Sequence, residues 1–210
     1  AVARAPVLQR RLAEIDAGHP GLALERGLLF EARGESERAV TFYTEALEAS
    51  PDDAELLLRL GAAQVGAGLL DEAEVTLASV QRALPASAEA EHFVGRIAFA
   101  RGSYPEALQH LNRAIDLDAS VAEFYVYAGW AALETGGLNT ANERAEHAIA
   151  LDPSQGDAYW IRGTVRLRLR RVRDALGDLE HALVLRPGRV EAIAAIGECY
   201  DQLRELGPAI

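Results

Sequence analysis

The chain has 210 residues, half of them apolar and a quarter charged, with a net charge of −11. No uninterrupted apolar run approaches the roughly 20 residues needed to cross a bilayer, and the negative balance disfavours general nucleic-acid binding, which needs a basic face to neutralise phosphates. One cysteine, Cys199, excludes an intramolecular disulfide framework. All 21 basic residues are arginine, a bias that with abundant Ala and Gly points to a GC-rich, bacterial coding source.

Six glycines, Gly27, Gly61, Gly95, Gly129, Gly163 and Gly197, stand 34 residues apart, and seven alanines, Ala5, Ala39, Ala73, Ala107, Ala141, Ala175 and Ala209, keep the same register. A fixed period of this length marks a repeat array. Residues 1–19 read as a second helix without its first, carrying Leu8, Leu12 and Ile15. Complete two-helix repeats are predicted at 20–53, 54–87, 88–121, 122–155 and 156–189, and 190–210 reads as a first helix with the start of a second. Within 54–87, Leu57, Leu60, Gly61 and Gln64 share one face of the first helix and Ala73, Leu77 and Val80 one face of the second, which is helical spacing. Gly34, Gly68, Gly102 and Gly136 take the intervening turn, where a left-handed backbone suits a residue without a Cβ. Pro51, Pro85, Pro153 and Pro187 close the second helices. Half repeats at both ends and the absence of Met lead to the expectation of a fragment from a longer bacterial protein.

The period and its neighbours resemble the tetratricopeptide repeat (TPR) family. Phe30, Tyr43, Tyr104, Tyr125, Tyr159 and Tyr200 fall at the family's aromatic places, while Ala119 and Ala17 replace its closing proline. The resemblance implies an all-α, right-handed superhelical solenoid of antiparallel helix pairs whose first helices line a concave groove. It implies a non-enzymatic scaffold or adaptor for protein–protein interaction, without cofactor or metal. Some members clamp an acidic chaperone C-terminus with Lys, Asn and Arg on first helices. Here lysine is absent and Asn112, Asn139 and Asn142 fall on second helices, so the implied partner is instead a peptide or amphipathic helix.

Tyr125, Ala128, Gly129 and Ala132 mark the core face of one first helix, so Val126, Trp130 and Leu133 are expected on the groove side. Translation along the register adds Leu24, Leu28, Leu58, Ala62 and Val65, then His92, Arg96 and Phe99, then Trp160, Thr164 and Leu167, ending in Glu198 and Asp201. An exposed apolar stripe of this kind marks a partner site, and its tryptophans are the residue type enriched in interface hot spots. The competing reading is that both tryptophans pad contacts between adjacent first helices.

Arg162, Arg166, Arg168, Arg170, Arg171 and Arg173 fall within twelve residues that contain no acid. They are candidates for an acidic-ligand corner, since guanidinium pairs bidentately with carboxylate. The alternative is a solvated edge, with Arg162 and Arg166 either snorkelling outward or pairing inside. Cys199 takes a place held by Leu29, Ala63, Ile97, Ala131 and Val165 in other repeats, and is expected to be a small core residue. The five histidines, His19, His92, His110, His147 and His181, lack metal-ligand spacing, and no catalytic motif is present. Two further function classes stay open: a targeting or regulatory module of a larger enzyme, and head-to-tail self-association in which Ile193, Ile196 and Tyr200 of one molecule meet Leu8, Leu12 and Ile15 of another. A cytoplasmic location is expected, with the periplasm equally compatible with one buried cysteine.

Overall fold

In a computed structural model, residues 22–206 are described, and among them are eleven α-helices and no strand. In chain order these are α1 Ala23–Ala32, α2 Ser36–Leu47, α3 Ala54–Gly66, α4 Leu70–Ala83, α5 Ala88–Ala100, α6 Tyr104–Leu117, α7 Ala122–Glu134, α8 Leu138–Leu151, α9 Gly156–Arg168, α10 Val172–Leu185 and α11 Val190–Leu206. The fold is the all-α array of antiparallel helix pairs that the 34-residue period predicts. The expected helix at 1–19, with Ala5, Leu8, Leu12 and Ile15, lies outside the described residues, as does Ala209.

The turns explain why the chain reverses where it does. In each, the residue after the turn glycine donates its N–H to a carbonyl five residues earlier: Glu35 to Phe30 at 2.9 Å, Leu69 to Gln64 at 2.9 Å, Ser103 to Ala98 at 2.9 Å and Gly137 to Ala132 at 2.8 Å. That bond satisfies a helix-end carbonyl and requires a left-handed residue before it. Gly34, Gly68, Gly102 and Gly136 supply φ values of 72° to 78°. Arg170 takes the same place in the next pair with φ 60°, and Arg171 makes the equivalent bond to Arg166 at 2.8 Å. At the other end of a helix, the Asp53 carboxylate caps α3 by accepting from Glu55 N and Leu56 N, both at 3.1 Å.

The chain divides into two compact bodies, residues 1–97 and 98–210, with the division inside α5. In the first body, Phe30, Ala39, Tyr43, Leu56, Leu60 and Ala63 form one apolar cluster, and Leu58, Ala73, Leu77, Val80, Ala90 and Ile97 form the next. In the second body, Leu167, Val172, Ala175, Leu179 and Cys199 form a cluster against which Trp160, Ile196 and Leu203 pack.

The small-residue ladder sits where two helices of a pair touch. Ala39, Ala73, Ala107, Ala141 and Ala175 have no exposed surface. A Cβ built on Gly61 would lie 2.8 Å from Leu77, and one on Gly163 would lie 2.8 Å from Leu179. Gly27 lies against the Tyr43 ring in the same way. In all three pairs the opposing residue is sixteen positions further on, so the ladder and its partners define one repeated crossing.

Candidate functional site

The site-bearing side chains come from first helices. In the first body, Leu24 and Leu28 on α1 are exposed, at 42% and 39%. Leu58 is buried, and Ala62 and Val65 are partly covered. On α5, His92 is buried rather than facing solvent, with its ring 5.2 Å from that of Phe93. Arg96 is partly buried and holds its guanidinium 5.4 Å from the Phe93 ring centroid.

The second body carries an aromatic row. Phe99 lies 5.3 Å from Tyr104, 6.4 Å from Tyr127 and 6.2 Å from Trp130, between ring centroids, and Tyr127 meets Trp130 edge-on at 5.0 Å. Phe99, Tyr127, Trp130 and Trp160 are all partly exposed. Arg189, just before α11, extends the row: its guanidinium carbon lies 4.5 Å from the Trp160 ring centroid and 5.5 Å from that of Trp130. The indole Nε1 of both tryptophans and the hydroxyl of Thr164 are buried without a hydrogen-bond partner. Three such atoms on the neighbouring helices α7 and α9 are unusual, since buried polar groups in native structures are nearly always bonded.

Other members of the expected stripe are not solvent-facing. Val126, Leu133 and Leu167 are 3%, 2% and 7% exposed. For Val126 and Leu133 the reason is that α7 and α9 pack directly against each other, while Leu167 is buried in the cluster with Val172, Ala175, Leu179 and Cys199. What remains open is an aromatic edge above an aliphatic seam. Glu198 and Asp201 on α11 are exposed.

The arginine run does not converge into one anion site. Arg162 donates to both oxygens of the Asp178 carboxylate, Nε to Oδ2 at 2.9 Å and a terminal nitrogen to Oδ1 at 2.7 Å, and Arg166 shares Oδ2 at 2.7 Å. Asp178 is buried, so both arginines pair inside. The hydrogen bonds to Asp178 raise the Arg162 pKa above its ordinary value despite burial. Arg168 donates to the Leu133 carbonyl at 3.2 Å, satisfying the last turn of α7. Arg171 pairs with Asp174, and Arg170 and Arg173 stay exposed in and beside the turn.

Sequence reasoning missed Arg189 and Asp157. Asp157, in the first turn of α9, is 4% exposed and pairs with Arg189 and, at 3.0 Å, with Arg186. The signal available was a departure from register: the corresponding residues Glu55, Glu89, Glu123 and Glu191 are exposed glutamates. Cys199 is fully buried in the second body's core, and burial, with the Glu198 and Glu180 carboxylates, pushes its thiol pKa up. Among the described residues no group of three His, Cys, Asp or Glu could hold a metal ion, and no helix is long and apolar enough to cross a membrane.

Comparison with known proteins bears on the same stretch. Three repeat models match in succession: two described as tetratricopeptide repeat over residues 30–97 and 127–190, and one described as TPR repeat over 95–136. No curated protein matches. Among solved structures, MamA is 27% identical, covering 76% of this chain and 93% of its own with a TM-score of 0.62. A thermophilic TPR protein of Thermus thermophilus covers 87% of this chain and 99% of its own at 20% identity and a TM-score of 0.71, a likeness of fold. The first TPR of Spaghetti, bound to an HSP90 peptide, is 25% identical, covering 56% of this chain and 94% of its own with a TM-score of 0.54.

Proposed function

Because the chain belongs to the tetratricopeptide repeat family, whose repeats are generally non-catalytic interaction modules, we propose that it is a scaffold that holds a partner's peptide or amphipathic helix on the groove side of its first helices. In the second body the binding surface is Phe99, Tyr127, Trp130, Trp160 and Thr164, with Val126, Leu133 and Leu167 as the packed seam beneath. The observation that carries this reading is the pair of partly exposed tryptophans, Trp130 and Trp160, whose indole N–H groups are buried without a partner in the chain. Large rigid rings with a donor at one edge bury much area at little entropic cost and dominate interface energetics. Peptide binding by the Spaghetti TPR supports the same use of the fold. The HSP90-type carboxylate clamp is not the mode used, since lysine is absent.

The test is selection from a random peptide display library followed by affinity measurement on the purified chain. Trp130→Ala and Trp160→Ala are each expected to weaken a selected peptide by about 2 kcal/mol, or roughly 30-fold. Unchanged affinity in both folded variants refutes the reading.

A second reading, self-association, draws on one observation. Val190, Ile193 and Tyr200 leave a face of α11 exposed, at 71%, 53% and 50%. A second copy covering that face predicts concentration-dependent sedimentation that Ile193→Asp abolishes. A single species at all concentrations refutes it.

A further inference from the structure

We propose that Trp130, Trp160 and Asp157 form a recognition box for a cationic side chain, an arginine or lysine of the bound partner segment, and that Arg189 fills this box when no partner is present. The proposal deepens the groove reading and rests on it.

The structure displays the box with its own cation in place. The Arg189 guanidinium lies over both indole faces, at 4.5 and 5.5 Å, and contacts a carboxylate that is almost wholly buried. Two electron-rich ring faces beside a desolvated carboxylate make the environment that favours a guanidinium or ammonium over a neutral or acidic group. Asp157 departs from the register, since α3, α5, α7 and α11 place the exposed Glu55, Glu89, Glu123 and Glu191 at the same point. Arg189 is likewise a departure, because the equivalent positions hold Asp53, Ser87, Val121 and Gln155.

Arg189 is an exchangeable occupant. Among the described residues its hydrogen bond is to Asp157, while its Nε is buried without an acceptor and approaches Glu191 only to 3.7 Å. Departure of Arg189 would not leave Asp157 bare, since Arg186 contacts the same carboxylate at 3.0 Å with its own side chain largely in solvent. A shallow cleft lined by Arg186, Pro187, Gly188, Arg189 and Glu191 gives solvent access to this segment. The net charge of −11 and the exposed Glu198 and Asp201 on α11 complement a basic partner.

Trp130 and Trp160 are the only two tryptophans of the chain, so tryptophan emission reads this box alone. The experiment titrates the full chain with Nα-acetyl-arginine methylamide, and with the glutamine and glutamate analogues at matched ionic strength. In Arg189→Ala the arginine probe is expected to change the emission saturably, at least about tenfold tighter than in the unsubstituted chain, whose own arginine competes. Adding Asp157→Asn should abolish that gain. Arg189→Gln, which keeps much of the stem, replaces Arg189→Ala if circular dichroism shows the latter unfolded. No saturable change in a folded variant, or an equal response to the neutral or acidic probe, overturns the proposal. Its failure is distinct from failure of the groove reading: a display-selected peptide that depends on Trp130 and Trp160 while the arginine probe is silent refutes the box and leaves the groove.

Discussion

Two glycines of the same ladder should respond to alanine in opposite directions. Gly163 lies on α9 where a Cβ would sit 2.8 Å from Leu179 Cγ, 3.0 Å from Leu179 Cδ2 and 3.2 Å from Asp178 Cβ. Gly197 lies on α11 with nothing within 4 Å of the same added atom. In a helix interior alanine is favoured over glycine by about 1 kcal/mol, and at Gly197 that gain stands unopposed. At Gly163 the same gain is set against overpacking, which costs about 1–3 kcal/mol in a filled core. Besides Leu179, the crowding reaches Asp178, which holds Arg162 and Arg166. The net expectation is a loss of up to about 2 kcal/mol for Gly163→Ala and a gain of about 1 kcal/mol for Gly197→Ala. For a chain of this size each kcal/mol moves the melting temperature by about 2–4 °C. Thermal unfolding followed by far-UV circular dichroism reads the sign directly, and urea midpoints check it without assuming that a repeat array melts in one step. Shifts of the same sign in both variants would refute close helix crossing as the reason for the ladder.

Arg170 has φ 60° where four equivalent turns use glycine, so Arg170→Gly should stabilise by about 1 kcal/mol, read as a higher urea midpoint; a lower midpoint contradicts the register argument. Asp178→Asn leaves two inward-pointing arginines without a counter-charge and should cost about 3 kcal/mol, whereas Arg171→Ala, at an exposed pair, should stay within about 0.5 kcal/mol in the same assay. The buried Cys199 thiol has its pKa raised above the ordinary 9.0, so the folded chain keeps a proton that the unfolded chain loses. That contribution to stability is complete below pH 9.0 and falls as pH rises through the raised value, a decline that Cys199→Ala should remove. A thiol reagent should label native Cys199 only as fast as the helix opens; labelling at the rate of a free thiol would contradict its burial.

The helix pairs were legible because packing constrains the ladder directly: one small residue per helix at each crossing, and one left-handed turn per pair. The site was legible only in part. Register identifies the side of α7 on which Val126, Trp130 and Leu133 stand, but not how much of that side the neighbouring α9 covers. Coverage depends on position across the face, so the tryptophans keep an open edge while the aliphatic residues lose theirs. The fate of Arg162 was encoded: its partner Asp178 stands sixteen residues on, the same offset that joins Gly27 to Tyr43, Gly61 to Leu77 and Gly163 to Leu179. Arg189 had no such offset to betray it. It reaches Asp157, 32 residues earlier, from the short link before α11, and the indoles it covers come from two different helices.

The central claim, that a partner segment lies across the aromatic face of the second body, is tested most directly by the two indole N–H resonances in a 15N-labelled sample titrated with a display-selected peptide. The account predicts that both Trp130 and Trp160 signals shift and saturate together with binding, because the peptide covers the edge on which both stand. Binding that leaves both resonances unmoved would contradict it.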